Sequence, residues 1–103
     1  MITNNPKHTD GPSILVTGSS RGIGKAIAIT LAAQGYEVVL HCRAQREQAE
    51  MVAAEIASAG GRSRIVQFDV ADRAQTKAVL EADIEANGAY YGVVCNAGIA
   101  RDN

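Results

Sequence analysis

Eight consecutive residues, Thr17-Gly18-Ser19-Ser20-Arg21-Gly22-Ile23-Gly24, carry the most concentrated chemistry of the 103-residue chain. They follow the apolar run that begins at Ile14, and their three glycines are spaced four and two apart. Glycine weakens regular structure, so a cluster where a strand gives way to a helix marks a place where something must approach the backbone closely. The first N–H groups of a helix lack intrahelical partners, and the helix dipole is positive at that end. The spacing therefore suits a pyrophosphate group lying against backbone donors.

Other phosphate loops fit less well. A G-x-x-x-x-G-K-[ST] loop ending at Gly24-Lys25 would need glycine where Ser19 stands and a hydroxyl where Ala26 stands. The order T-G-x-x-x-G-x-G also differs from G-x-G-x-x-G. A methyltransferase of similar topology would want an acid after the second strand, where the chain reads His41-Cys42-Arg43. A glycine-rich turn that merely lets a helix pack on a strand is the bland alternative.

Four β-branched runs can position this loop: Ile14 to Thr17, Glu37 to Cys42, Arg64 to Phe68 and Tyr91 to Cys95. Each reads as a strand buried on both faces. Between them lie three helical patterns. The first, Gly22 to Gln34, places Ile23, Ile27, Leu31 and Gln34 at helical spacing before Gly35. The second, Gln45 to Ala59, aligns Ala49, Val52, Ile56 and Ala59. The third starts from Asp72 as N-cap with Gln75 at capping-box spacing, continues through Val79, Leu80 and Ile84, and stops at Asn87-Gly88. The alternation β-α-β-α-β-α-β predicts an α/β fold, a Rossmann-like doubly wound parallel sheet with strand order 3-2-1-4. Residues 1–12 read as a flexible tail and 13–103 as a dinucleotide-binding part.

Net charge is -1, with ten basic and eleven acidic residues. Such a balance points to neither nucleic acid nor a membrane as partner. The start of the chain has no apolar stretch of signal or membrane-span length, so a cytoplasmic protein is expected. His8 reads as a solvated surface residue, and with only His41 beside it no metal site is expected. Cys42 and Cys95 read as reduced, mostly buried thiols, kept apart by the predicted strand order.

Three motifs in order carry a family resemblance: TGSSRGIG at Thr17 to Gly24, FDV at Phe68 to Val70, and NAG at Asn96 to Gly98. With these the chain resembles the amino-terminal part of the short-chain dehydrogenase/reductases, and the ending NAGIARDN is similar to the 3-oxoacyl-[acyl-carrier-protein] reductases among them. Cys95 stands where the family often has asparagine.

The resemblance implies an NADP(H) site. Thr17 and Gly18 would shape the turn; Ser19, Ser20, Arg21, Gly22, Ile23 and Gly24 would lie at the phosphates. Arg43 would meet a ribose 2′-phosphate through charge-assisted hydrogen bonds. His41 would line the adenine ribose or simply end its strand. Asp69 would accept from the adenine amino group beside Val70, or cap the next helix. Asn96, Ala97 and Gly98 would form the floor of the nicotinamide half, with Asn96 pinning backbone across to a neighbouring strand. Arg101, Asp102 and Asn103 would lead toward substrate or fray. For Arg21 and Arg43 the competing reading is a solvated surface charge, and for Asn96 a plain turn residue.

The function so implied is NADPH-dependent reduction of a β-ketoacyl thioester presented on acyl carrier protein, by a full-length homodimer or homotetramer. Another ketone or alcohol oxidoreductase of the family, or a non-catalytic dinucleotide-binding module, are the alternatives. The family's serine, its Tyr-x-x-x-Lys pair and its catalytic asparagine would lie downstream of Asn103. Tyr36, Tyr90 and Tyr91 are followed at that spacing by Leu40, Val94 and Cys95, so residues 1–103 alone are expected not to catalyse reduction.

Overall fold

A computed structural model describes residues 12–96. Along them run β1 (Ser13–Val16), α1 (Gly22–Ala33), β2 (Glu37–Cys42), α2 (Arg46–Ser58), β3 (Arg62–Gln67), α3 (Arg73–Asn87) and β4 (Gly92–Val94). The strands form one parallel sheet in the order β3-β2-β1-β4, as the alternation predicts. Val16 stands level with Leu40 on one side and Val94 on the other. The loops after these strands therefore leave the sheet at a common carboxyl edge.

Strand periodicity divides the core in two. Ile14, Val16, Val38 and Leu40 point to the face covered by Ala28 and Ala32 of α1 and by Val52 and Ile56 of α2. Leu15, Val39, Val66 and Phe68 point to the other face, where Val79 and Leu80 of α3 pack with Tyr90. Full burial of one such aliphatic side chain stabilises by about 1.5–3 kcal/mol.

Three packing expectations change. Burial on both faces describes β1 and β2 but not β3 or β4. Among the described residues these are the edges, each with one strand neighbour, and Val93 is 52% exposed. The buried face of α1 is Gly24, Ala28 and Ala32, whereas Ile23 is 74% exposed. Small side chains let the helix lie close to the sheet, and Ile27 and Leu31 of the predicted row flank that contact, partly buried against the core. Ile84 is exposed on α3, and Ala59, the C-cap of α2, is exposed.

Asp72 caps α3 by accepting from the Gln75 N–H at 3.0 Å. Gln75 does not return to Asp72; its Oε1 accepts from the Asp69 N–H at 2.7 Å. Both cysteines are free, but only Cys42 is buried, since Cys95 is exposed beyond β4.

A polar cluster ties β3 to α3. Arg64 donates through Nε and Nη2 to both Asp83 oxygens at 2.9 and 2.7 Å, and its Nη1 lies 3.2 Å from Glu37. The Tyr90 hydroxyl and Asn87 amide also donate to Asp83, at 2.8 and 3.1 Å. Burial pushes the Asp83 pKa up, but the Arg64 and Tyr90 hydrogen bonds outweigh it and hold the carboxyl below its usual range. Burial and the same carboxylate push the Tyr90 phenol up. Among the described residues no helix is long and apolar enough to cross a membrane.

Candidate functional site

The loop between β1 and α1 is shaped by two left-handed glycines, Gly18 at φ +65° and Gly22 at φ +63°. Gly24 serves differently. A Cβ there would strike the Gly18 carbonyl oxygen and come within 2.7 Å of Asn96 Nδ2. The third glycine thus lets α1 begin directly against the loop.

Neighbouring strands hold the loop from both sides. From the β4 side, Asn96 donates through its backbone N–H to Thr17 Oγ1 at 2.8 Å and through Nδ2 to the Gly18 carbonyl at 3.2 Å. The Thr17 N–H donates to Val94 at 3.0 Å. From the β2 side, the Gly18 N–H donates to His41 Nδ1 at 2.8 Å. The Ser19 N–H donates to the His41 carbonyl at 3.1 Å, and Ser19 Oγ accepts from the His41 N–H at 2.8 Å. His41 Nε2 lies 2.8 Å from the Phe68 carbonyl, with the ring centroids 4.2 Å apart.

Beyond these tethers α1 starts at Arg21 without a side-chain cap or an acidic residue in its first turn. Its first N–H groups are thus left without side-chain acceptors, and the dipole makes this end attractive to an anion. A cleft of about 560 Å³ lies alongside. Gly18, Ser20 and Arg21 line it from the loop, His41, Cys42 and Arg43 from β2 and the turn after it, and Asp69 and Val70 from the turn after β3. Two arginines and one aspartate thus line the same cleft. Asp69 Oδ1 accepts from the Ala71 N–H at 2.9 Å, which fixes its turn.

The sequence-predicted residues divide by position. Thr17, Ser19 and Asn96 lie behind the cleft as tethers. Ser19 is fully buried, and its backbone N–H donates to the His41 carbonyl, so it holds the loop to β2. His41 reaches the cleft, but both ring nitrogens are bonded within the protein. The ring thus ties the loop to β2 and β3 as well as lining the cleft. Burial lowers its pKa, opposed by the Phe68 hydrogen bond and the Asp69 charge. The Ile23 side chain is exposed, so only its backbone belongs to the helix start. Ala97, Gly98, Arg101, Asp102 and Asn103, like His8 and residues 1–11, lie outside the described residues.

Gln45 and Gln48 also line the cleft, and sequence reasoning missed both. Gln48 Oε1 is buried without a hydrogen-bond partner. The available signal was two polar residues three apart at a helix start, directly after Arg43.

The family model described as short chain dehydrogenase matches residues 12–103. The chain is 56% identical over 91 residues to the 3-oxoacyl-[acyl-carrier-protein] reductase FabG of Aggregatibacter actinomycetemcomitans, covering 88% of this chain and 38% of that protein. It is 44% identical over 91 residues to the reductase of the same name from Staphylococcus aureus strain Mu50, covering 88% of this chain and 37% of the relative. Among solved structures, a dehydrogenase/reductase from Sinorhizobium meliloti 1021 superposes with a TM-score of 0.80 at 38% identity, covering 90% of this chain and 37% of that one. A metagenomic short-chain oxidoreductase in complex with NADP gives a TM-score of 0.82 at 37% identity, over 87% of this chain and 40% of that chain. With its glycine loop at the carboxyl edge of a β3-β2-β1-β4 sheet, the chain belongs to the short-chain dehydrogenase family.

Proposed function

We propose that the chain is the cofactor-binding part of an NADPH-dependent reductase that acts on a β-ketoacyl thioester carried by acyl carrier protein. The observation that carries this reading is the 56% identity to a relative named as such a reductase. That relative is matched over only 38% of its length, so the activity is proposed for a longer protein. A cytoplasmic homodimer or homotetramer is part of the same proposal.

The residues present fit a dinucleotide. The uncapped start of α1 can take the diphosphate, and Asp69 can accept from an adenine amino group. At the end of β2, where an NAD site places a carboxylate, Cys42 and Arg43 leave room for a phosphate and a planar cation. When bound, the reduced nicotinamide supplies a hydride to the carbonyl carbon. Delivery of a proton to the oxygen falls outside the described residues' capacity. Tyr90 is committed to Asp83, and Tyr36 and Tyr91 stack at 6.0 Å at the amino ends of β2 and β4, away from the cleft. We assign that step to a Tyr-x-x-x-Lys pair in the part of the family's length that this chain does not span.

The test is NADPH consumption with a β-ketoacyl thioester. Turnover is expected from the full-length protein and background from residues 1–103. Full-length protein active only on simple ketones would remove the thioester assignment.

Cofactor choice follows from Arg43. In the full-length enzyme, Cys42→Asp with Arg43→Ala should lower kcat/KM for NADPH relative to NADH by about tenfold or more, the scale of one lost charge-assisted hydrogen bond. Equal use of both cofactors by the wild type would contradict the role given to Arg43.

A further inference from the structure

One of the side chains that hold the glycine loop has two protonation states. His41 is 2% exposed, and its ring is wedged between the Gly18 amide and the Phe68 carbonyl. The Gly18 N–H can only donate and the Phe68 carbonyl can only accept. Nδ1 must therefore carry a lone pair and Nε2 the proton, which describes the neutral ring in one tautomer. Gly18 sits at φ +65° with no side chain of its own to fix it. Ser19, the next residue, is paired to the backbone of the same histidine.

We propose that neutral His41 is a positioning residue, a latch that holds Gly18 and Ser19 so that the start of α1 can receive the cofactor diphosphate, and that protonating the ring releases the loop and weakens dinucleotide binding. The proposal rests on the reading of the cleft as an NADP(H) site. An imidazolium would set N–H against N–H at Gly18, trading a 2.8 Å hydrogen bond for a repulsive contact. The ionisable groups that line the cleft with His41 are Arg21 from the loop, Cys42 and Arg43 from the end of β2 and the turn after it, and Asp69 from the turn after β3. From α3, Val79 and Leu80 pack on this face of the sheet, and Gln75 and Thr76 bond the Asp69 backbone. The Asp69 charge favours the imidazolium, but burial outweighs it and lowers the pKa below 6.5. A depressed pKa means that the unfolded chain takes up the proton first. The latch and its stabilisation are accordingly complete above about pH 6.5 and are lost as pH falls through the lower folded value.

Two measurements on the full chain test this. In the ligand-free protein, nuclear magnetic resonance should show His41 as the Nε2–H tautomer, with one transition below the ordinary histidine pKa shared by the ring and the Gly18 amide. His41→Gln keeps an acceptor and a donor without titrating, and in it the Gly18 transition should be absent. The second measurement is NADP⁺ affinity against pH. As pH falls from about 7.5 through the depressed His41 value, the wild type should lose affinity beyond any loss in His41→Gln, by about tenfold for each pH unit below that value. The ribose phosphate of the ligand itself protonates near pH 6, about the same range, and cancels in that difference. A Gly18 amide that ignores the ring, an Nδ1–H tautomer, or equal pH dependence in both proteins would overturn the latch. Should NADP⁺ bind at no pH while the shared transition persists, the cofactor reading fails and the coupling fails with it. Should NADP⁺ bind while ring and amide titrate independently, the latch alone fails.

Discussion

Gly24→Ala is expected to destabilise the protein by about 2 kcal/mol, the cost of overpacking a well-packed site, and to weaken NADP⁺ binding by more than tenfold (about 1.4 kcal/mol). The added methyl meets the Gly18 carbonyl oxygen, a main-chain atom that no rotamer change can move aside, and the Asn96 amide at 2.7 Å. Relief requires α1 to retreat from the loop. That retreat pulls on the contacts that fix Gly18 between Asn96 and His41, and it carries the first-turn N–H groups away from the anion position. Gly22→Ala is a useful contrast. Its Cβ meets nothing within 4 Å, so its cost is confined to the left-handed backbone at φ +63°, about 1–2 kcal/mol. Thermal melts and NADP⁺ titrations separate the two. Wild-type affinity in a folded Gly24→Ala protein would show that close approach of α1 to the loop is dispensable.

Asp83→Ala should cost about 3 kcal/mol, in the range measured when one partner of a buried pair is removed. The Asp83 side chain is 9% exposed and that of Arg64 18%. Alanine would leave the guanidinium with Glu37 alone and deprive the Tyr90 hydroxyl and Asn87 amide of an acceptor. For a small domain whose total stability is about 5–15 kcal/mol, that is a large fraction. Urea unfolding measures it, and Arg64→Met with Asp83→Leu should recover much of the loss because neither charge remains buried. The pH dependence has a definite sign. The Asp83 pKa is lowered on folding, so its contribution is complete above the ordinary carboxylate pKa and disappears as pH falls through the depressed value. Asp83→Ala should flatten the acid limb of the stability curve. Because the cluster sits at the amino ends of β2 and β4, NADP⁺ affinity of the folded variant should be unchanged.

The strands and their order were legible because short β-branched runs alternate with helical patterns, and Gly35, Gly60 and Gly88 end the helices at positive φ. The offset of the α1 stripe has a physical cause. Periodicity weighs apolarity, so it centred the buried face on Ile23, Ile27 and Leu31, whereas Gly24, Ala28 and Ala32 lie at its centre, Ile27 and Leu31 flank it and Ile23 is exposed. Close packing of a helix on a sheet selects for small size instead. The edge strands misled similarly, since β-branched composition does not record whether a strand has one neighbour or two. In the site, the loop was readable from glycine spacing, and the turn bearing Asp69 from the family resemblance. Nothing local in the sequence signals that His41 bonds Gly18 across 23 positions, or that Arg64 meets Asp83 across 19. Those pairings exist only once the sheet has formed, when β2 stands beside β1 and α3 packs on β3.

The central claim is that the carboxyl-edge cleft beside Gly18 holds NADP(H). Titrating the protein with NADP⁺ while following backbone amide resonances tests it most directly. The expected result is saturable shifts concentrated at Gly18 to Gly24, Arg43 to Gln48 and Asp69 to Ala71, with the Arg64–Asp83–Tyr90 cluster undisturbed. Saturable shifts centred on that cluster, or no saturable shift at Gly22, Ile23 and Gly24, would contradict the account.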